Sequence, residues 1–445
     1  MSITYESWGR IPRVRHSKIV PVAWQDSLPS LSDFDEPVLA YGLGRSYGDS
    51  CLNHDGVLLD MRPLNRYLAF DPESGILKCE AGVTLAEIVE HFAPKGWFLP
   101  VTPGTKFVTI GGAIANDVHG KNHHVAGTFG KHVQRFELLR SDGERLICSP
   151  EENSELFSAT IGGLGLTGLI LWAEIRLKPI PSQFIEMESI RFESLEEFFR
   201  LSKESDSGYE YIVSWIDCTR QGEKLGRGIF MRGNDADPQT VRLPRLPKKR
   251  QLVFPIEAPN FLLNSLSVKA FNTLYFNKQV SEKVNKVVHY NPFFYPLDAI
   301  HHWNRMYGKR GFFQYQCVVP YKDGDGAIRE ILDRIGRSGN ASFLAVLKTF
   351  GEVESPGMLS FPRPGVTLAL DLPNQGEKSL RLFEELDRIV KTSGGALYPC
   401  KDARMSREMF DISYPNWEEF EKYIDPKFSS SFWRRIKTGQ REGEL

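Results

Sequence analysis

No run of about 18 apolar residues occurs anywhere in the 445-residue chain, so no helix is expected to span a bilayer. The first twenty residues, MSITYESWGRIPRVRHSKIV, lack the apolar core of a signal peptide. Cysteine is sparse and dispersed. Cys51, Cys79, Cys148, Cys218, Cys317 and Cys400 show no CxxC spacing and are expected as reduced, mostly buried thiols of a cytoplasmic protein. Neither sign of charge dominates: the formal net charge is −1 and there is no basic tail, which argues against a nucleic-acid partner. Internal repeats and low-complexity tracts are absent. What remains, 41% hydrophobic and 25% charged residues, is the composition of an ordinary globular protein whose length suggests two domains.

The segment Val101–Val133, VTPGTKFVTIGGAIANDVHGKNHHVAGTFGKHV, departs from generic core composition. Gly111, Gly112, Ala113 and Ala115 open what reads as a helix, which runs into His119, Lys121, Asn122, His123 and His124 between Gly120, Gly127 and Gly130. Small residues let a flat aromatic group lie directly on backbone, and N–H groups at a helix start suit a polar or anionic edge. A metal site is the competing reading, because His119 and His123 stand at i,i+4. The HExxH pattern fails, however, since Lys121 follows Gly120, and no Cys, Asp or Glu lies within 119–132. No metal is expected. A plain Gly/His-rich surface loop leaves the apolar GGAIA entry unexplained.

Upstream, EPVLAYGLGRSYGDS (Glu36–Ser50) reads as a short strand, Val38–Tyr41, entering a turn with Gly42, Gly44 and Gly48 around Arg45, Ser46 and Tyr47. Glycines permit positive φ, so successive N–H groups can converge on a pyrophosphate beside Arg45 and the Ser46 hydroxyl. No Gly-Lys-Ser/Thr follows, and the next segment, Val57–Met61, reads as a strand rather than a helix. A strand–loop–strand anion cradle describes it better than a P-loop or a Rossmann turn.

These motifs, with PVTPGT and Gly162–Gly168 (GGLGLTG), resemble the flavin-binding half of the vanillyl-alcohol oxidase (PCMH-type FAD-binding) superfamily. The combination of HGKNHH with Phe293–Asp298 (FFYPLD), Gln314–Gln316 (QYQ), Leu359–Pro362 (LSFP) and Tyr398–Arg404 (YPCKDAR) is narrower. It is similar to the decaprenylphosphoryl-β-D-ribose 2′-oxidase family, and the resemblance covers nearly the whole chain in order. It implies an α+β, two-domain fold: an FAD-binding domain over 1–180, an antiparallel-sheet substrate domain over 181–395, and a return to the FAD-binding domain over 396–445. It implies FAD held by Tyr41, Gly42, Gly44, Arg45, Ser46, Tyr47 and Gly48, and by Pro103, Gly104 and Thr105. Gly111, Gly112, Ala115 and Asn116 would line the flavin, with His119, Gly120, Asn122, His123, Gly127 and Thr128 after them. Gly163, Gly168, Ile170 and Tyr398 complete the implied cofactor set.

Residue patterning agrees with that division. Up to about residue 180, short β-rich runs alternate with helical patterns such as Thr84–Phe92, closing with the strand Leu169–Leu177; Pro179 and Pro181 mark a boundary. Strands are then expected at Ile185–Phe192, Tyr209–Asp217, Gly311–Pro320, Ser342–Thr349 and Val366–Leu372. Helices are expected at Leu195–Ser202, near Ala327–Ile335 and at Glu377–Ser393. Without a βαβ glycine signature, this alternation suits an antiparallel sheet covered by helices.

Val241–Gln279 breaks the pattern. Arg242, Arg245, Lys248, Lys249 and Arg250 adjoin prolines and then Phe254, Phe261, Leu262, Leu263, Phe271, Tyr275 and Phe276. Basic residues beside a partly amphipathic aromatic stretch suit a peripheral membrane contact; the bland reading is a solvated loop before a core-facing helix.

Oxidising a secondary alcohol requires hydride delivery to the flavin and removal of a proton from oxygen, with a fixed cation near the reduced cofactor. Lys401 matches the lysine that the oxidase family places beside flavin and substrate. His119 is the candidate base or hydroxyl-orienting group, because an unperturbed imidazole titrates near neutrality. Lys121, Tyr295, Gln316, Lys348, Thr367 and Ala369 match the family's substrate pocket, together with Lys401. The chain departs from mycobacterial members at that pocket. Thr367-Leu368-Ala369 stands where they carry Asn-x-Cys, and Val366 replaces a Trp. Arg45-Ser46 also occupies the loop position where several superfamily relatives attach FAD through His, so FAD is expected to bind non-covalently.

The implied activity is FAD-dependent oxidation of the 2′-hydroxyl of a glycosyl polyprenyl phosphate, the first half of an epimerisation to a cell-wall arabinose donor. It would work with a separate NAD(P)H-dependent reductase, at the inner face of the plasma membrane. The alternatives are an FAD oxidase or dehydrogenase of a soluble polyol or aldonolactone, and a non-enzymatic flavin-binding scaffold.

Overall fold

The computed structural model of the protein describes residues 5–247, 252–259 and 262–443. Lys248, Lys249, Arg250 and Phe261 of the basic–aromatic segment lie outside the described residues.

Three of the five sheets among the described residues, each of three or more strands, organise the chain. The smallest is parallel, with Val57–Asp60 between Lys18–Pro21 and Val38–Tyr41. All four residues of the central strand VLLD are buried, as expected for a parallel strand covered on both faces. A five-stranded antiparallel sheet follows, in the order Tyr67–Asp71, Ile76–Glu80, Leu169–Arg176, Val133–Leu139, Arg145–Cys148. Helix Leu85–Phe92 packs beside it. Thr84 caps this helix reciprocally with Glu87, and Leu85, Ile88, Val89 and Phe92 supply its buried stripe.

The largest sheet has eight strands. It runs Lys283–His289, Phe184–Phe192, Gly228–Asp235, Tyr211–Ile216, Ala345–Phe350, Gly365–Pro373, Phe312–Val319, Ala396–Leu397, with every paired neighbour antiparallel. Helices Leu195–Ser205, Tyr321–Ser338 and Glu377–Thr392 share one apolar core with it. Ile328, Ile331, Leu332 and Ile335 recur at helical spacing and are fully buried; each contributes roughly 1.5–3 kcal/mol by burial. Tyr315 faces this layer and stacks on Phe383, with ring centroids 5.7 Å apart. By strand alternation its neighbours Gln314 and Gln316 face the opposite side.

Two local expectations change. Tyr321–Ser338 is twice the length expected from Ala327–Ile335, because Gly324 and Gly326 dilute its apolar signal. Gly324 is there for packing: a Cβ would lie 3.1 Å from Val366 Cγ2. The GGAIA helix spans only Ile110–Ala115 and does not continue into the histidines. The chain turns at Asp117, whose φ is +39°, and the buried Asp117 carboxylate accepts Gly130 N (2.8 Å) and the hydroxyls of Ser355 and Ser360 (2.5 Å each). After the edge strand Ala396–Leu397 comes a single turn, Pro399–Lys401. The helix Ser431–Thr438 then packs against the turn Asp49–Cys51 that follows the glycine loop.

Candidate active site

A cavity of about 340 Å³ runs between the glycine loop, the GGAIA helix and the face of the eight-stranded sheet opposite helices Leu195–Ser205, Tyr321–Ser338 and Glu377–Thr392. Gly42, Gly44, Arg45, Ser46 and Tyr47 line one end. Gly44 has φ +58°, and a Cβ there would sit 2.1 Å from Tyr41 Oη and 2.3 Å from Glu6 O, so only glycine fits. Tyr41 lies behind the loop and donates its hydroxyl to Glu6 O at 2.7 Å.

Arg45 stacks on Trp8, its Cζ 3.9 Å from the ring centroid. Its Nε is buried without a hydrogen-bond partner among the described residues, and desolvation lowers its pKa against the pull of Asp298. Ser50 Oγ, on the same wall, is likewise buried and unpartnered. A buried guanidinium N–H left without an acceptor is costly, and an anion entering the cavity would satisfy it.

The floor is built of small residues. Thr109 Oγ1 accepts Gly112 N at 3.2 Å and starts the helix that carries Gly111, Gly112 and Ala115 along the cavity. A Cβ on Gly42 would lie 2.5 Å from the same hydroxyl, whereas one on Gly104 would meet nothing within 4 Å. Asn116 Nδ2 donates to Gly112 O (2.9 Å), and Tyr398 Oη to Asn116 O (2.7 Å). Pro103, Thr105, Gly168 and Ile170 complete this part of the wall. A flat floor joined to a buried guanidinium with a free N–H and a glycine cradle suits a molecule with a planar ring system and a pyrophosphate, and FAD is such a molecule.

The same cavity is lined by His119, Gly120, Lys121, Gln316, Lys348, Ala369 and Lys401. Gln316 pairs across the sheet with Ala369, and Lys348 with Thr367. Lys348 Nζ donates to Gly120 O at 2.7 Å and lies 2.8 Å from His119 Nδ1; Gln316 Nε2 lies 3.0 Å from His119 Nε2. Burial is the main cause that depresses the pKa of His119 and Lys348, both to well below their usual values, with neighbouring lysines adding to it. Burial also holds Lys121 down at about 8. The Lys401 pKa is lowered by burial, against support from Cys400 and Asp371. Lys401 Nζ sits 4.2 Å from the centroid of the Tyr47 ring. Burial thus works against protonating His119, so the value of a free imidazole does not carry over to it.

Several sequence-derived positions stand behind the wall rather than on it. Tyr295 Oη is 2.7 Å from Thr102 Oγ1, and Thr102 lines the cavity in its place. Thr367 Oγ1 backs Gln316 Nε2 at 3.4 Å, and Asn122 Nδ2 holds Pro100 O at 2.8 Å. Gly48 packs against Asp402, Gly127 against Val353 and Gly163 against Ala159. Thr128 is buried and bridges His119 through the backbone. His123 is buried on the Phe350 ring, both ring nitrogens unpartnered. Conversely, Trp8, Trp303, Val213, Val346 and Gln314 line the cavity without having been singled out. Gln314 belongs to the quoted QYQ motif, and the period-2 alternation that exposes Gln316 exposes it too. Its Nε2 is tied to Asp371 Oδ1 at 2.5 Å; burial pushes the Asp371 carboxyl up to about 7.

The buried histidines give the fold an acid limit. Burial, with Lys348 and His124 adding to it, lowers His123 to about 3, and burial, with Lys106 adding to it, lowers His289 to about 4, against an unfolded value near 6.5. Folded values below the unfolded one mean that stability is full above about pH 6.5 and declines as pH falls toward these values. Thermal unfolding of the cofactor-free protein is expected to show this loss between pH 6 and pH 4, at up to about 1.4 kcal/mol per pH unit for each such histidine. His123→Phe should flatten the slope; an unaltered slope would remove His123 from this account.

Among the described residues no group of three or more His, Cys, Asp and Glu side chains could hold a metal ion. The six cysteines are free. A family model described as an FAD binding domain matches residues 25–149. The decaprenylphosphoryl-beta-D-ribose oxidase of Mycolicibacterium smegmatis is 39% identical over 419 residues, covering 90% of this chain and 89% of that one. An uncharacterised protein of Streptomyces coelicolor is 32% identical over 369 residues, 80% of this chain and 100% of its own. A putative D-arabinono-1,4-lactone oxidase of Neurospora crassa is 29% identical over 186 residues, only 40% of this chain and 31% of that one.

Proposed function

This chain belongs to the decaprenylphosphoryl-β-D-ribose oxidase family of FAD-binding oxidoreductases, and from that membership we propose that it oxidises the 2′-hydroxyl of a polyprenyl-phosphoryl ribose to the ketone. The observation that carries the reading is that Lys401, His119 and Lys348 line the same cavity as the glycine loop and Arg45, whose buried Nε has no hydrogen-bond partner among the described residues. FAD, when bound, supplies the hydride acceptor. Arg45, Ser46 and the glycine-loop backbone would hold its pyrophosphate, and Gly111, Gly112 and Ala115 would bed its ring. We take residues 1–180 and 396–445 as the cofactor unit and 181–395 as the substrate unit.

Lys401 is the cation that favours negative charge developing beside it. His119 and Lys348 are both shifted toward their neutral forms and lie 2.8 Å apart, so the pair can accept the hydroxyl proton and share it. Gln316 orients the imidazole from the other side. A product that has lost two hydrogens, detected by mass spectrometry after incubation with the lipid-linked ribose, is the direct check. A separate NAD(P)H-dependent reductase would then complete the epimerisation. The lactone-oxidase likeness covers under half of this chain, which favours the lipid-linked sugar over a soluble lactone.

FAD is bound without a covalent link, since the glycine loop Gly42–Gly48 holds no His or Cys to attach it. Acid precipitation is expected to leave all the flavin in the supernatant, and flavin in the pellet would contradict this.

The lipid tail gives a reason for a membrane-facing surface. No helix among the described residues is long and apolar enough to cross a membrane. Nine of the fifteen exposed large hydrophobic side chains among the described residues fall between Leu246 and Val280. On helix Ser265–Asn277, Val268, Asn272 and Phe276 are buried, while Leu266 (78% exposed) and Leu274 (73%) lie on the opposite side. Strand Leu252–Val253, also exposed, pairs with Ile300–His301, which lies between the cavity residues Asp298 and Trp303. Apolar surface concentrated next to the cavity supports peripheral contact with the bilayer that holds the substrate. Replacing both Leu266 and Leu274 with Gln should cut co-sedimentation with lipid vesicles severalfold while FAD content is unchanged; undiminished co-sedimentation would return this surface to the soluble-loop reading.

A further inference from the structure

We propose that Arg435, on the C-terminal helix Ser431–Thr438, is the positioning residue that fixes Lys401 against the glycine loop. This rests on the role given to Lys401 above. Lys401 Nζ has no hydrogen-bond partner among the described residues; the Tyr47 ring lies 4.2 Å away and the Asp371 carboxyl acts on it by charge alone. The base of its side chain, and with it the reach of its ammonium, is therefore placed by the Pro399–Lys401 turn and by whatever holds that turn.

The turn and the glycine loop are joined tightly. Tyr47 N donates to Cys400 O at 2.8 Å, and a Cβ on Gly48 would lie 1.7 Å from Asp402 O, so the two segments touch backbone to backbone. Arg435 closes this junction from behind. Its Nε and Nη2 each bind the Asp49 carboxylate at 2.8 Å, immediately after the glycine loop, and Nη2 reaches Asp402 Oδ2 at 3.2 Å, immediately after Lys401. Nη1 donates to Met405 O. The same Asp402 oxygen accepts the backbone N–H of Arg404 (2.8 Å) and Met405 (2.6 Å), which fixes the exit from the turn. Arg435, Asp49 and Asp402 are all buried.

One planar guanidinium thus ties three segments distant in sequence, a task for which Lys, with a single ammonium on a flexible stem, is a poor substitute. A displacement of Lys401 by even about 1 Å is enough to slow catalysis on the order of tenfold to a hundredfold.

The test uses Arg435→Lys, with Asp402→Asn as a second variant that keeps the Arg435–Asp49 pair should Arg435→Lys fail to fold. Two readouts report on Lys401 without turnover: the midpoint potential of the bound flavin, and the amine-acylation rate of Lys401 in cofactor-free protein, followed by peptide mass spectrometry. Lys401→Ala is the reference for the potential. Both variants are expected to retain FAD, to shift the potential in the same direction as Lys401→Ala but less, and to acylate Lys401 severalfold faster. Wild-type potential and acylation rate in a folded variant would overturn the proposal. If Lys401→Ala itself leaves the potential unchanged, the role of Lys401 falls, while the acylation rate still reports whether Arg435 holds it.

Discussion

Replacing Lys401 with Ala is expected to leave FAD bound and to slow flavin reduction by lipid-linked ribose at least about 10²-fold, the scale seen when one preorganised electrostatic group is removed. The expectation follows from where the side chain is and from what surrounds it. Lys401 lies at the cavity wall, and burial lowers its pKa, while Asp371 and Cys400 oppose that shift. A cation held in such surroundings acts through a low effective dielectric and needs no reorganisation when charge develops beside it. Its loss should therefore appear in the chemical step rather than in cofactor retention. Anaerobic stopped-flow absorbance separates the two, and a wild-type reduction rate in Lys401→Ala would refute the assignment.

Gly44→Val is expected to abolish FAD retention altogether. The backbone at Gly44 has φ +58°, a region strongly disfavoured for a β-branched residue. A Cβ there would collide with Tyr41 Oη and Glu6 O, at 2.1 and 2.3 Å. Relief of either clash moves the loop that carries Arg45 and Ser46. Circular dichroism checks that the sheets persist, and the flavin absorbance of the purified variant reads the result. A folded Gly44→Val protein with a full complement of FAD would show that the glycine loop does not hold the cofactor.

The parts of the site legible in the sequence are those where local composition and function coincide. The glycine loop and the GGAIA floor were readable because only small residues permit a close approach to backbone. Strand boundaries such as Val38–Tyr41 could be read because a short apolar run ends in glycine. Gln314 and Gln316 share a face by alternation alone. The rest depends on tertiary placement. Trp8 stacks on Arg45 from near the N-terminus, and no local pattern marks it. Tyr295 and Thr367 carry the right motif, yet neighbouring Thr102 and Gln316 stand between them and the cavity. The protonation state of His119 was beyond composition as well, because it is set by burial and by Lys348, which is 229 residues away in sequence. The helix expected to run on from GGAIA ended early because Asp117 has buried partners in Ser355 and Ser360.

The central claim is that this cavity oxidises a lipid-linked pentose on a flavin. Anaerobic mixing of the FAD-loaded protein with decaprenylphosphoryl ribose, and in parallel with soluble polyols and aldonolactones, tests it most directly. Bleaching of the flavin absorbance by the lipid-linked sugar, with the soluble compounds leaving it oxidised, is the predicted result. Bleaching by a soluble polyol or lactone with no response to the lipid-linked sugar would contradict it.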